Sequence, residues 1–145
     1  MDIVICEIEE KDYLNVLSIA NNELGCKHSI EDVITHYERV KDDERYKTFV
    51  ALLDGEAVGF ISSVWSYEIG RETGFMHIVG LAVKTEMQNK GIGTKLIKQI
   101  ENYAKEKKMG SIILNTGVQR TKAHAFYKSK GYDNRSWCFN KTLYS

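Results

Sequence analysis

Val83-Lys84-Thr85-Glu86-Met87-Gln88-Asn89-Lys90-Gly91-Ile92-Gly93-Thr94-Lys95-Leu96 is the stretch on which the fold turns. The apolar run Ile78 to Val83 leads into it and is expected to be a buried strand. Ile92, Leu96, Ile100, Tyr103 and Ala104 follow at the spacing of one helix face. The segment is therefore strand, short polar turn, helix, with two glycines where the helix begins. A helix start leaves backbone N–H groups without internal partners, and its dipole favours negative charge there. Gly91 and Gly93 lack a Cβ, so a ligand can approach that backbone closely. Gln88, Asn89, Lys90 and Thr94 add donors, and Lys90 adds a positive charge. Together they form a candidate pyrophosphate cradle. The letters exclude a Walker A loop, because Gly93 is followed by Thr94-Lys95 without the required spacing. A dinucleotide fingerprint would want glycine at 96, which is Leu96. The alternative is that the two glycines only ease a tight strand-to-helix turn.

Working outward, Ile3 to Ile8 is a first strand. Asp12 can cap the helix after it, with Val16, Leu17, Ala20 and Leu24 on one face and Gly25 at its end. Ser29 and Asp32 form a capping-box-like pair for a second helix, whose apolar face is Ile30, Val33, Ile34 and Tyr37. Asp54-Gly55 between two β-rich runs, 48–53 and 57–64, predicts a hairpin. After a polar connection, 65–74, the central strand runs from Phe75 to Val83. The long helix reaches about Lys108, and Ser111 to Thr116 is a further strand. Strand, helix, strand in this order is a parallel crossover unit. Thr121 to Lys130 is a short helix burying Ala123 and Phe126. Ser136-Trp137-Cys138-Phe139-Asn140-Lys141-Thr142-Leu143 alternates as a closing strand does. The sum is one mixed α/β domain over residues 1–145.

The chain has 20 Lys+Arg against 20 Asp+Glu. Zero net charge argues against a nucleic-acid partner held by bulk positive charge. No apolar run reaches the length of a membrane span, and Met1-Asp2-Ile3 opens no export signal, so no membrane association and a cytoplasmic location are expected. Cys6, Cys26 and Cys138 are scattered, which suggests reduced thiols. No metal-ligand spacing is present, and no metal is expected.

Gln88-x-x-Gly91-x-Gly93, followed about one strand later by Arg120-x-x-Ala123-His124-Ala125-Phe126-Tyr127-x-x-x-Gly131-Tyr132, resembles the GCN5-related N-acetyltransferase (GNAT) family. The first motif is similar to that family's acetyl-CoA loop. The second is similar to its C-terminal helix, in which a tyrosine is followed by a Gly-aromatic pair. The resemblance implies the GNAT fold: a mixed central β-sheet with a splayed parallel strand pair, flanked by helices. The splay would lie between the 78–83 strand and the 111–115 strand, with the pantetheine arm in the gap. It implies acetyl-CoA as acetyl donor and an amine as acceptor, and it leaves a homodimer open.

Site residues follow from the resemblance. Leu81, Ala82 and Val83 would line the cofactor as a substitute strand, and the N–H of Leu81 would hold the acetyl oxygen as charge develops on it. Gly80 beside it is expected to mark a bulge, or else to make room for a helix above. Gln88, Asn89, Lys90, Gly91, Ile92, Gly93 and Thr94 would hold the diphosphate, with Asn115 and Arg120 as further cofactor contacts. Arg120 stands where many members have asparagine, so it would reach phosphates or pantetheine carbonyls instead. Tyr127 would contact the cofactor and protonate the departing thiolate; the alternative is one more aromatic on an amphipathic helix. His124 points elsewhere, as a surface group or a cap partner. Many members place a glutamate on the central strand as general base. Here His77 and Val79 stand on that side, so the role is vacant, is filled by His77, or passes through water to Glu68, Glu72 or Glu23. Trp65, Tyr67, Tyr13, Tyr37 and Trp137 are available as acceptor walls.

The leading expectation is an N-acetyltransferase acting on a primary amine, small molecule or protein, by direct attack in a ternary complex. No cysteine lies within the two motifs, so no acetyl-enzyme is invoked. The alternative is a non-catalytic acyl-CoA sensor or interaction module, supported by the missing strand glutamate. A nucleic-acid-modifying enzyme is disfavoured by the charge balance.

Overall fold

The computed structural model describes residues 1–144 and divides the chain into two compact units, Met1–Leu114 and the segment from Asn115 onward. The first contains β1 (Ile3–Glu7), α1 (Tyr13–Leu24), α2 (Ile30–Val40), β2 (Tyr46–Leu53), β3 (Glu56–Ser66), β4 (Phe75–Val83), α3 (Ile92–Glu106) and β5 (Ser111–Leu114). The sheet order is β1-β2-β3-β4-β5. The first four strands are antiparallel neighbours, and β5 lies parallel to β4 across the α3 crossover. This is the mixed sheet expected, with its parallel pair where the crossover motif placed it.

Local chemistry explains the elements. Ser29 Oγ accepts the Asp32 N–H at 3.2 Å and Asp32 Oδ2 accepts the Ser29 N–H at 2.8 Å, a closed capping box. Asp54 and Gly55 both take positive φ, 52° and 82°, as a two-residue hairpin turn requires. Asp12 behaves differently from its expected role. Its carboxylate accepts the Glu9 N–H at 2.9 Å and caps a 3-10 turn, Glu10–Asp12, and it makes no side-chain cap to α1.

Helices cover both sheet faces. Val16 and Ile19 of α1 join Val50, Ala57, Phe60 and Ala82 in one cluster. On the other face α3 buries Leu96, Ile100 and Tyr103, with the Tyr103 ring edge-on to Phe49 at 5.9 Å. A Cβ on Gly59 would lie 3.3 Å from Leu96 Cδ1 and 3.2 Å from the Ala82 carbonyl, so glycine there lets α3 sit close. Fully burying a Leu or Ile contributes about 1.5–3 kcal/mol, and Leu96 and Ile100 are both 0% exposed.

The second unit contains α4 (Thr121–Ser129), followed by residues without regular secondary structure. The closing strand expected at 136–143 is not formed: residues 132–144 hold no strand or helix. Trp137, Phe139 and Leu143 are 84%, 88% and 76% exposed. Alternation states which face a strand would bury; it does not supply the edge whose N–H and C=O groups complete a ladder.

Candidate active site

β4 is paired along both edges for only part of its length. β5 pairs with Phe75 to Ile78 and stops at Leu114, whereas β3 follows β4 to Val83. Residues 79–83 therefore have an open edge on the β5 side, which is the splay. Antiparallel pairs alternate between groups that bond the partner and groups that face away. The Lys84 N–H donates to the Val58 carbonyl at 2.9 Å. Counting back in twos, Ala82 and Gly80 also bond β3, and Leu81 and Val83 turn their N–H and C=O into the open edge. Ala82 thus does not face the gap, and its side chain lies in the α1 cluster. The Val83 carbonyl accepts from Gln88 Nε2 at 2.9 Å, as a group on that side must to be reached from the loop.

A bulge sits beside Leu81. Ser62 pairs with Gly80 and Ser63 with Ile78, leaving Val79 as the extra residue, 57% exposed. A Cβ on Gly80 would meet only the Phe60 ring, at 3.3 Å and 3.8 Å. Gly80 belongs to the bulge and makes no room for a helix.

Beyond β4, Lys84 leads into a 3-10 turn, Thr85–Met87, anchored by buried Met87. Asn89 and Gly91 take φ of 62° and 83°. Gly91 is the N-cap of α3 and offers no side-chain cap. The first amides of the helix, those of Ile92, Gly93 and Thr94, are left to an outside acceptor. The Ile92 side chain is buried, so only its backbone can serve. Asn89, Lys90 and Thr94 are exposed. Gln88 does something other than donate into the cradle. Its Nε2 bonds Val83 O and Glu23 Oε1 (3.1 Å), and Thr85 Oγ1 donates to Glu23 Oε2 at 2.7 Å. Glu23 of α1 thus clamps the loop and is spoken for as a proton acceptor.

The α1/α2 face of the sheet carries a polar set. Thr48 and Ser62 are paired across β2 and β3, their hydroxyls 2.8 Å apart. Burial pushes the phenol of Tyr37, on α2, up from the usual value near 10, and the Thr48 and Ser62 hydroxyls pull it back. Tyr13 stacks on Tyr37 at 4.7 Å. His77 pairs with Val64, two residues along β3 from Ser62, and so shares this face. No carboxylate stands on β4, and Glu68 is ion-paired with Arg71. Trp65 alternates with Val64 and lies on the opposite face, buried, so it does not wall this side.

In the second unit, Tyr127 lies on α4, half-buried, with Phe126 and Tyr132 edge-on at 5.3 Å and 5.9 Å. Burial pushes its phenol up, and the Arg120 charge acts the other way. A phenol so placed keeps its proton at neutral pH and can act as an acid. Arg120 and Asn115 are exposed. His124 Nε2 lies 2.8 Å from the Gly117 carbonyl in the turn before α4; it caps neither end of the helix, whose N-cap is Arg120.

The sequence names neither Thr48 nor Ser62 as a site group, and it offers Glu23 only as a proton relay, where the structure makes it the clamp of the loop. Thr48 and Ser62 are polar residues inside apolar strand runs, a visible signal. Glu23 is an acid in the last turn of α1, where the dipole disfavours it, and that too hints at a purpose.

A family model described as the acetyltransferase (GNAT) family matches residues 7–132. An uncharacterised N-acetyltransferase of Methanocaldococcus jannaschii is 38% identical over 88 residues, covering 60% of this chain and 53% of that relative; this chain matches only about half of that protein's length. An aminoalkylphosphonate N-acetyltransferase of Salmonella typhimurium is 31% identical, covering 96% of this chain and 92% of its own. Among solved structures, an aminoglycoside acetyltransferase from an uncultured soil metagenomic sample superposes with TM-score 0.85 at 26% identity, covering 98% of this chain and 97% of its own.

Proposed function

From the premise that this chain belongs to the acetyltransferase (GNAT) family and is an acyltransferase, we propose that it moves an acetyl group from acetyl-CoA to a primary amine by direct attack in a ternary complex. The observation that carries the proposal is continuous: the open edge of β4 at Leu81 and Val83 runs into the uncapped start of α3. An extended pantetheine arm can pair with the first, and a diphosphate can take the amides of the second. Gly91 suits this use, because nothing lies within 4 Å of where its Cβ would be.

In the proposed reaction the amine nitrogen bonds to the thioester carbonyl carbon, and the carbonyl oxygen takes up negative charge. The Leu81 N–H donates to that oxygen. When the carbon–sulfur bond breaks, the thiolate accepts the Tyr127 proton, and the attacking nitrogen loses one of its own. Among residues on β4, His77 is the group suited to accept that proton, because its imidazole is the one side chain there that can act as a general base. Tyr37, Thr48 and Ser62 offer the acceptor hydroxyl contacts on the same face. The relatives that take aminoalkylphosphonates and aminoglycosides make small primary amines the first panel.

One observation favours a second reading, a non-catalytic acyl-CoA sensor: β4 carries no carboxylate, and Glu23 is committed to the loop. The test is thiol release from acetyl-CoA across an amine panel that includes both chemistries. Release well above hydrolysis, with kcat lowered about a hundredfold in Tyr127→Phe, is expected for the enzyme. Tight acetyl-CoA binding without turnover on any amine would establish the sensor.

A further inference from the structure

We propose that the acceptor amine binds as its uncharged free base over Gly80, with Ser62 Oγ as its hydrogen-bond partner, so that the chain selects weakly basic primary amines. This rests on the acetyl-transfer reading above and names the substrate class that the same site takes. The Leu81 N–H lies in the plane of the sheet, so a carbonyl that it holds is open to attack from a sheet face. On the α1/α2 face the residue paired with Gly80 is Ser62. Cβ positions of such a pair stand about 4.5–5.5 Å apart. Gly80 has no side chain, so the space over it falls to the Ser62 hydroxyl. A Cβ there would meet only the Phe60 ring. Ser62 is itself held in place, because its oxygen lies 2.8 Å from that of Thr48, which is 7% exposed. One proton is used between the two hydroxyls, and the pair keeps a donor and lone pairs for a nitrogen.

Among the described residues, the charges near this face act elsewhere. Glu10, Glu38 and Lys41 act on the Tyr13 phenol, and Lys41 holds Glu38 at 2.9 Å. The one ionisable group acting on the Tyr37 phenol is that of Tyr13. The charge acting on His36 of α2 is Arg39, a cation. Glu23 is bonded to Thr85 and Gln88, and Glu68 to Arg71. The strands add Tyr46, His77, Ser111 and Ile113, none of them an acid. A site lined by hydroxyls strips water from an ammonium and returns no opposite charge, which is costly. The free base needs only a hydroxyl partner, and it already carries the lone pair that bonds to the thioester carbon. The proton that His77 takes is then the one the nitrogen carries once that bond has formed. For an amine more basic than the medium, the free-base fraction falls about tenfold for each unit of its pKa.

Fluorine lowers the basicity of ethylamine stepwise with little change of size, so ethylamine, 2-fluoroethylamine and 2,2-difluoroethylamine form the first test series. At pH 7, kcat/KM counted on total amine is expected to rise about tenfold or more from the first to the last. The second test takes the most basic amine that turns over and scans about pH 8 to 9.5, above ordinary imidazole titration. Burial pushes the Tyr13 and Tyr37 phenols up, so they keep their protons there. The expected slope is about tenfold in kcat/KM per pH unit, up to the amine's own pKa. Should the ethylamines not react, this scan decides. Third, Ser62→Ala is expected to raise the amine KM about tenfold, and Ser62→Thr, which keeps the hydroxyl, to restore it, with the acetyl-CoA KM unmoved in both. Thr48→Val replaces Ser62→Ala should that variant fold poorly, with the same direction expected. Ethylamine outrunning its fluorinated analogues, a flat pH scan, or an amine KM unmoved by Ser62→Ala each overturns the inference and leaves acetyl transfer standing. A natural chain that turns over no amine removes the transfer reading, and this inference with it.

Discussion

The starts of α2 and α3 solve the same problem in opposite ways. Both helices leave their first N–H groups without internal partners. At α2 the sequence closes the end with Ser29 and Asp32, whose side chains and backbones satisfy each other. At α3 it does the reverse. Gly91, at φ 83°, brings no side chain to the end, and the ladder begins with the Lys95 N–H on the Gly91 carbonyl at 3.1 Å. The open end is not the weaker helix overall, because α3 buries six residues where α2 buries only Val40. Packing holds α3 in place, which frees its N-terminus for a ligand. A cap is worth about 1 kcal/mol; where it is omitted beside a rigid, buried helix, the amides have another use.

The sharpest way to break this contrast is to put charge on the open end. Asn and Asp both tolerate the left-handed conformation at 91, so they share the backbone cost and differ in charge. Gly91→Asp is expected to weaken acetyl-CoA binding roughly ten- to a hundredfold more than Gly91→Asn, the span between water-like and surface-like screening at close range. Titration calorimetry reads the difference. Equal affinities for the two variants would show that no anion visits this end.

A smaller effect is expected at the clamp behind the loop. Glu23→Ala removes the acceptor for both Thr85 and Gln88. Exposed hydrogen bonds of this kind are worth about 0.5–1.5 kcal/mol each, so KM for acetyl-CoA should rise about three- to tenfold with kcat nearly unchanged. A change in melting temperature with KM unmoved would make the clamp structural only.

How far these features were visible beforehand depended on whether they were local. The capping box, the Asp54-Gly55 turn and the limits of β4 each lie within a few residues, and the structure reproduces them. The open edge at Leu81 and Val83 was reachable through family resemblance, but its carbonyl alternation needed the Lys84 to Val58 bond to set the phase. Gln88 could not be placed from its motif, because its partner Glu23 is 65 residues away. Thr48 and Ser62 become a pair only once β2 and β3 are in register. The 136–143 segment has the pattern of a strand, and pattern alone does not provide an edge. Ile19, 1% exposed, is not on the face of α1 expected from Val16, Leu17, Ala20 and Leu24, yet it is the most buried residue of that helix.

The closed end gives the control. Ser29→Ala is expected to cost about 1 kcal/mol and lower the melting temperature by about 2–4 °C. Acetyl-CoA affinity should stay unchanged, since no loop residue touches that cap. A Ser29→Ala protein that lost affinity as well as stability would dissolve the distinction between the two helix ends.

The smallest effect is the pH dependence of the same cap. The Asp32 carboxyl lies below its usual value of 3.8, first because of the Ser29 backbone N–H and then its hydroxyl. A depressed carboxyl binds its proton more weakly in the folded chain than in the unfolded one. Its stabilisation is therefore complete above the unfolded value, near pH 4, and is lost as pH falls through the lower folded value. Urea midpoints of the natural chain and Asp32→Ala should differ by a constant gap from pH 7 to about pH 5, and the gap should close on further acidification. A gap that did not narrow at any pH below 4 would mean that Asp32 caps α2 without its charge, and the closed end would then owe nothing to the helix dipole.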